Sequence, residues 1–340
     1  MAKPFLILSL DGGGLRGIVP TMILMQIEQI TGKKIQDMFQ LMAGTSTGGL
    51  IALGLSIGKT PAQLKDIYVQ NGKKIFPATG GGITGLLHKA EQLFEPKYSP
   101  AGLQSVLDQY FGNTTMADCK VPVIACCYDL ASNTPLFFKS RYTKQAQPIN
   151  AKLTEVCRAT SAAPTYFPAF RMSYNNMDRV CIDGGVYINN PGMAAFSEIC
   201  KYYKDPLYNL PPDFNPDVNV FMLSLGTGTY TANLAQKKWI DGGLVNWATK
   251  ISDIMMQATN QSTVYECSEM LPANQYYRMN ISIGDDKYSD MADSSDATRN
   301  YLEQQVQAQI FNNAQVMKDL QAFLVRAGVM PAGSISKLTP

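Results

Sequence analysis

The stretch Gly44-Thr45-Ser46-Thr47-Gly48 decides the fold that this sequence predicts. It follows the apolar run 38–43 and precedes the helix-forming run 49–55. An apolar strand, a G-x-S-x-G turn and a helix together are typical of a nucleophile elbow, in which a strained turn holds the serine hydroxyl clear of the backbone. Glycines flank the serine there because a Cβ at either position would collide with the neighbouring helix or strand. Ser46 is therefore the candidate nucleophile, and it needs partners from elsewhere in the chain.

Length and composition favour one large α/β domain. No Pro/Gly/Ser-rich linker or charge run divides the 340 residues, and a hydrophobic content of 46% is enough for a sizeable core. We expect a single domain over residues 1–340, with a core at about 5–230 and a C-terminal portion of helices and a strand, about 231–330, packed on it. The net charge of +2 argues against nucleic-acid partners and against electrostatic docking on an anionic membrane.

Cysteine usage and hydropathy indicate a cytoplasmic protein. The seven cysteines are scattered without C-x-x-C pairs or metal-ligand spacing, so we expect buried thiols and no metal. Cys126 and Cys127 lie in a strand-like run and should point to opposite faces. No run approaches the ~18 apolar residues of a membrane span. The short apolar stretch 5–10 fits a first strand better than a signal peptide, although export by a route without a cleaved signal stays open.

A glycine loop follows this first predicted strand. The loop, Asp11-Gly12-Gly13-Gly14-Leu15-Arg16-Gly17, leads into apolar residues at helical spacing from 18 to 30. It matches the dinucleotide pattern G-x-G-x-x-G, but the confirming acidic residue after a second strand is not clear, because Asp37 precedes that strand. Alternatively, the glycine N–H groups can turn toward one anion at a helix N-terminus. That arrangement suits the oxyanion of an acyl intermediate, completed by the N–H of Thr47.

Two further features of the sequence each allow two interpretations. Arg16 adds a positive charge to the glycine loop, where it can support a bound anion or serve as a structural ion pair or backbone anchor. The irregular stretch 76–96 contains glycines and apolar residues, and it can be a lipid-facing lid or a surface loop with its apolar side chains tucked down. His88, the only histidine, lies in this stretch, where a lone histidine is most often merely solvated.

The candidate base for Ser46 is Asp183, because His88 is poorly placed for a triad. A short predicted strand, 180–182, ends in Asp183-Gly184-Gly185. The C-terminal ends of parallel strands meet at one edge of a sheet, so Asp183 and Ser46 are expected to meet there. A carboxylate in a partly desolvated pocket can have its pKa raised enough to take the hydroxyl proton. The alternative is that Asp183 only caps the following turn.

Turn residues and apolar periodicity predict the remaining elements. The predicted helices span residues 61–71, 100–111, 153–163, 191–203, about 244–271 and 295–327, with Gly328 as a C-cap. The predicted strands span residues 121–128, 135–139, 218–225 and 275–283.

Three motifs in this order resemble the signature of the patatin-like phospholipases. They are residues 11–17, the elbow at 44–48, and Asp183-Gly184-Gly185. Residues 159–168 and 223–229 are similar to further features of the family, and residues 291–297 resemble a feature of its plant-patatin-like members. The resemblance therefore spans nearly the whole chain.

The resemblance implies a three-layer α/β/α fold with a mostly parallel central sheet. It also implies a dyad of Ser46 as nucleophile and Asp183 as base, with an oxyanion hole at Gly12, Gly13 and Gly14. The implied activity is calcium-independent hydrolysis of acyl esters in phospholipids or related polar lipids, without a cofactor and with transient contact with a membrane surface. An acyltransferase, a nucleotide-binding oxidoreductase and a non-catalytic storage or binding protein stay open as alternatives.

Overall fold

The computed structural model describes residues 2–78, 95–230, 251–331 and 333. Within them, a mixed, mostly parallel eight-stranded sheet forms the centre of the molecule. In chain order its strands are β1 (Phe5–Leu10), β2 (Leu41–Thr45), β3 (Val123–Asp129), β4 (Thr134–Lys139), β5 (Phe170–Tyr174), β6 (Met177–Asp183), β7 (Val220–Leu225) and β8 (Tyr276–Met279). The strand order is β5-β6-β3-β2-β1-β7-β8, and β4 pairs with β3 outside this path.

Helices cover both faces of this sheet. The described helices are α1 (Ile18–Thr31), α2 (Ile35–Met38), α3 (Thr47–Ser56), α4 (Pro61–Val69), α5 (Gly72–Ile75), α6 (Pro100–Phe111), α7 (Leu153–Thr160), α8 (Gly192–Tyr202), α9 (Pro216–Asn219), α10 (Ile251–Met270), α11 (Asp296–Val306) and α12 (Ala314–Arg326). Residues of α8 and α10 pack on one face of the sheet, whereas α1, α3, α4, α6, α7, α11 and α12 pack on the other. The three-layer α/β/α prediction is confirmed.

The apolar layers on the two faces of the sheet contain alternate side chains of the same strands. Cys126 lies in the layer of α8, and Cys127 lies in the layer of α3, because successive residues of a strand point to opposite faces. This confirms the prediction for the cysteine pair. The strands β1, β2, β3, β7 and β8 are mutually parallel. Of these, β1, β2, β3 and β7 are buried on both faces, as expected for a sheet covered by two helical layers, whereas β8 is only partly buried.

The predicted direction of one strand in the sheet is wrong. The strand that carries Asp183, β6, runs antiparallel to β3, whereas the sequence argument placed it in a parallel sheet. Asp183 nevertheless reaches the level of Ser46 because of the register. Thr45 pairs with Cys126 across β2 and β3, and the next residue of β3, Cys127, pairs with Asp183. Ser46, the residue after Thr45, therefore lies at the same level of the sheet as Asp183.

Other differences concern element boundaries. The strand β5 is not predicted from the sequence, and the predicted helix 295–327 is divided. A π-helical segment, Gln307–Phe311, follows α11, and Asn313 then caps α12 by accepting a hydrogen bond from the N–H of Val316. Gly328 has a φ of +71°, consistent with the predicted C-cap. The start of the helix predicted from about 244 and most of the 76–96 stretch lie outside the described residues.

Candidate active site

Ser46 occupies a strained turn between β2 and α3. Its backbone has φ 53° and ψ −122°, a positive φ that is uncommon for a residue other than glycine. A Cβ at Gly44 would lie 2.1 Å from the carbonyl oxygen of Gly48, and a Cβ at Gly48 would lie 2.2 Å from the carbonyl oxygen of Leu10. Both distances are too short for non-bonded atoms, so this turn requires glycine at both positions, as predicted.

Thr160 holds the turn from the adjoining elements. The N–H of Ser46 donates to Thr160 Oγ1 at 2.9 Å, and the same hydroxyl donates to the carbonyl oxygen of Cys126 in β3. Thr160 is the last residue of α7 and is completely buried. Sequence reasoning does not single out Thr160, because its partners are 114 and 34 residues away.

The Asp183 carboxylate lies close to the side chain of Ser46 and is almost completely buried, with 5% of its surface exposed. Its Oδ1 also accepts the N–H of Gly185 at 2.7 Å, so the carboxylate caps the following turn as well. Burial raises the pKa of Asp183 to about 6, against the smaller opposing effects of the Ser46 hydroxyl and the Gly185 N–H. A carboxylate with this pKa is still ionised at neutral pH and is a stronger base than an ordinary aspartate.

The glycine loop lies beside this pair and is closely packed. A Cβ at Gly13 would lie 2.2 Å from Thr227 Oγ1. Gly14 has a φ of +57°, and a Cβ there would lie 2.5 Å from the carbonyl oxygen of Met291. A side chain at either position would overlap these neighbours, which explains two of the consecutive glycines.

The backbone N–H groups of the loop are not equivalent. The N–H of Gly12 donates to the carbonyl oxygen of Asn189 at 3.0 Å, so it is already engaged. The N–H groups of Gly13 and Gly14 have no hydrogen-bond acceptor among the described residues, and both glycines line the same cavity as Ser46. Thr47, which lines this cavity too, is the first residue of α3, where an N–H has no intrahelical acceptor. Three residues with such N–H groups thus line the same cavity as Ser46.

This cavity has a volume of about 140 Å³ and is mostly apolar. Ser46 and Asp183 form part of its wall. The apolar part of the lining includes Leu50, Ile67, Ile75, Phe76, Leu103 and Phe167. A polar pair beside such a lining suits a substrate that carries an ester group on a hydrocarbon chain.

A second cavity, of about 120 Å³, lies next to the first and shares Met256 and Met291 with it. Arg16 lines this second cavity, together with polar residues that include Asn189, Thr227 and Gln257. Arg16 therefore belongs to the surroundings of the glycine loop, and both of its predicted roles stay predictions.

A buried ion pair that sequence reasoning misses fixes the start of the loop. Asp11, which is 1% exposed, accepts two hydrogen bonds from the guanidinium of Arg278 in β8, one of them at 2.9 Å. Asn260 of α10 donates to the same carboxylate at 2.6 Å. The sequence separation of 267 residues between Asp11 and Arg278 leaves no local signal for this contact. The pair ties the end of β1 to β8 and to α10.

Three further points raised by the sequence concern its histidine, a metal site and a membrane span. His88 lies outside the described residues. Among the residues that are described, no group of three or more His, Cys, Asp or Glu side chains is placed to hold a metal ion. Within the same ranges, every helix is too short or too polar to cross a bilayer.

Fold and site together define a class, the α/β proteins that carry a nucleophile elbow. The sequence model of the family described as patatin-like phospholipase matches residues 8–196. The chain therefore belongs to the patatin-like phospholipase family, as its motifs predict, and this membership makes it a lipid hydrolase.

Relatives from plants and bacteria extend this similarity over most of the chain. Patatin-like protein 3 from Arabidopsis thaliana is 31% identical, over 82% of this chain and 73% of the relative. A cGAMP-activated phospholipase from Pseudomonas aeruginosa is 29% identical, over 84% of this chain and 80% of the relative. Among solved structures, VipD from Legionella pneumophila matches with a TM-score of 0.39 and 12% identity, over 94% of this chain and 71% of VipD.

Proposed function

We propose that this protein is a calcium-independent lipid acyl hydrolase of the phospholipase A type, acting on phospholipids or related polar lipids. The observation that carries the proposal is the proximity of the Ser46 side chain to the buried Asp183 carboxylate in the wall of one mostly apolar cavity. Membership of a phospholipase family supports the substrate class.

The first step of the proposed reaction forms an acyl-enzyme. Ser46 Oγ attacks the acyl carbonyl carbon while Asp183 takes its proton. In this step the N–H groups of Gly13, Gly14 and Thr47 stabilise the oxyanion that develops, and the lack of an acceptor for the N–H groups of Gly13 and Gly14 among the described residues supports this role. The intermediate then expels the alcohol oxygen of the lysolipid, to which Asp183 returns the proton.

The second step releases the fatty acid. A water molecule loses a proton to Asp183 as its oxygen attacks the acyl-enzyme carbonyl. The bond between the carbonyl carbon and Ser46 Oγ breaks, and Asp183 gives the proton to Oγ. One ester and one water thus yield one fatty acid and one alcohol, and both catalytic groups return to their starting states.

Burial gives Asp183 the basicity that this reaction needs without a histidine. The rise of its pKa from 3.8 to about 6 corresponds to about 3 kcal/mol of additional proton affinity. The other interpretation of the glycine loop, a dinucleotide site, has less support. Gly12 is hydrogen-bonded to Asn189 and Thr227, and Gly13 and Gly14 border the mostly apolar cavity instead of a site for pyrophosphate.

The proposal is tested with Ser46→Ala and Asp183→Asn, assayed on a chromogenic fatty-acyl ester and on defined phospholipids. We expect both variants to lose hydrolysis by several orders of magnitude, since loss of the nucleophile in a serine protease costs about 10⁶-fold in kcat. Ser105→Ala, on the exposed side of α6, is the matched control and should keep the parental rate. Activity that survives in Ser46→Ala would reject the proposal, and activity lost to a calcium chelator would reject calcium independence.

A further inference from the structure

We infer that the second, polar cavity is the site of the hydroxyl reactant, and that Asn189 Oδ1 orients the water that resolves the acyl-enzyme. The inference rests on the proposed function, because it assigns a residue and a cavity to the second step of that reaction. It assigns no new nucleophile or base, and Asn189 acts by positioning the water.

The polar cavity is chemically unlike its neighbour. Its lining includes hydroxyl, amide and guanidinium groups, and none of its described lining residues carries a carboxylate. These groups belong to Arg16, Thr227, Thr229, Gln257, Gln261 and Ser289. The volume of about 120 Å³ is well above the roughly 10–15 Å³ that one water needs. The two cavities meet at Met256 and Met291, so a polar reactant has a site next to the apolar one.

Asn189 offers an unused acceptor at this junction. Its side chain is buried, with 5% of the residue exposed, and its Oδ1 has no hydrogen-bond partner in the described part of the structure. The other end of the amide, Nδ2, faces the carbonyl oxygen of Gly12 at 3.4 Å, which orients Oδ1 away from that carbonyl. Buried polar atoms are nearly always hydrogen-bonded, so this oxygen calls for an O–H or N–H donor from a bound molecule.

The acceptor lies beside the dyad. Asn189 Oδ1 and Ser46 Cβ both lie within 3.4 Å of the point that a Cβ would occupy at Gly12. Asn189 Oδ1 and Asp183 Oδ1 both lie within 3.4 Å of the corresponding point at Gly185. A hydroxyl group bound to Asn189 would therefore stand next to both reacting side chains.

The chemistry of an amide oxygen decides which step it serves. Oδ1 cannot stabilise an oxyanion, because it only accepts hydrogen bonds. A water molecule has two O–H bonds, so one can give its proton to Asp183 while the other donates to Asn189. A simple alcohol such as methanol has one O–H bond, which Asp183 must take. Asn189 should therefore favour water over methanol as the acyl acceptor.

The first experiment measures this preference with Asn189→Ala, a p-nitrophenyl ester and added methanol. The burst of p-nitrophenol reports acylation, and the ratio of methyl ester to free fatty acid reports the acceptor. We expect an unchanged burst rate, deacylation by water slower by about 10- to 100-fold, and a product ratio raised by the same factor. An unchanged product ratio, with burst and deacylation lowered together, would show a merely structural role and overturn the inference.

A second pair of variants tests the cavity without touching Asn189. Gln257 lines only the polar cavity and Met255 only the apolar one, and both lie on α10. Gln257→Phe should slow deacylation by water and leave the burst with a short-chain ester unchanged. Met255→Phe should slow the burst with long-chain esters and leave the product ratio unchanged. Identical effects of the two variants would overturn the inference. The absence of any covalent intermediate in the parent protein would instead reject the proposed function.

Discussion

Replacing Asp183 with Asn is expected to stabilise the fold at neutral pH while abolishing hydrolysis. Burial raises the pKa of Asp183 to about 6 in the folded protein, whereas an unfolded aspartate has a pKa of about 3.9. The folded state therefore binds the proton more tightly. The stability that protonation contributes is fully present below pH ~3.9 and is lost as the pH rises through about 6. The difference between the two pKa values corresponds to about 3 kcal/mol of unfolding free energy.

The asparagine of the Asp183→Asn variant would resemble the protonated, uncharged aspartate, and its Oδ1 could still accept the N–H of Gly185. The unfolding free energy of this variant should thus exceed that of the parent by up to about 3 kcal/mol above pH 7 and by almost nothing at pH 4. Urea unfolding of both proteins at pH 4, 5, 6, 7 and 8 measures this gain. A gain that does not change between pH 4 and pH 8 would refute the reasoning, because it would show that Asp183 has no raised pKa in the folded protein.

Three other predictions test the site. The rate constant kcat/KM should fall about tenfold per pH unit below a midpoint near 6, as Asp183 becomes protonated, and a midpoint near 4 in the pH–rate profile would contradict the buried-base assignment. Thr160→Val should lower the free energy of unfolding in urea by about 1–3 kcal/mol and lower kcat, because the N–H of Ser46 loses its acceptor. Thr160→Ser keeps the hydroxyl and should keep the unfolding free energy and kcat near the parental values. Equal losses in the two variants would contradict this role for the hydroxyl. Gly48→Ala should unfold or lose activity because its Cβ would overlap the carbonyl of Leu10, and a stable, active variant in circular dichroism and ester assays would refute the steric argument.

Local sequence signals predict those parts of the fold that depend on neighbouring residues. Phe5–Leu10 and Pro100–Phe111 have the bounds that apolar pattern and capping predict. The glycine at 44 is explained by steric overlap with Gly48 within a single turn. In each case the deciding contact joins residues that are close in sequence or belongs to one element.

Strand direction and distant contacts could not be predicted in this way. The direction of β6 depends on its partner β3, about 50 residues earlier, and nothing within residues 177–183 encodes it. Strand β5, in contrast, has a signal that sequence reasoning missed. Asn175 and Asn176 both have positive φ, 55° and 56°, as in the two-residue turn of a β-hairpin, and Asn is favoured there.

The same limit applies to the candidate site. Ser46, Asp183 and the glycine loop stand out because each lies in a glycine-rich motif at the end of a strand. Thr160 and Asn189 contribute through single atoms that face the site, and Asp11 depends on a partner at the other end of the chain. Such contacts follow from tertiary packing, which residue type and spacing do not specify.

Covalent labelling with a fluorophosphonate, followed by peptide mass spectrometry, tests the central claim most directly. The reagent reacts with an activated serine and mimics the tetrahedral intermediate of acyl transfer. We expect one label per chain on the peptide that contains Ser46, none in Ser46→Ala, and much slower labelling in Asp183→Asn. Labelling at another serine, or equal rates in the parent and in Asp183→Asn, would contradict it.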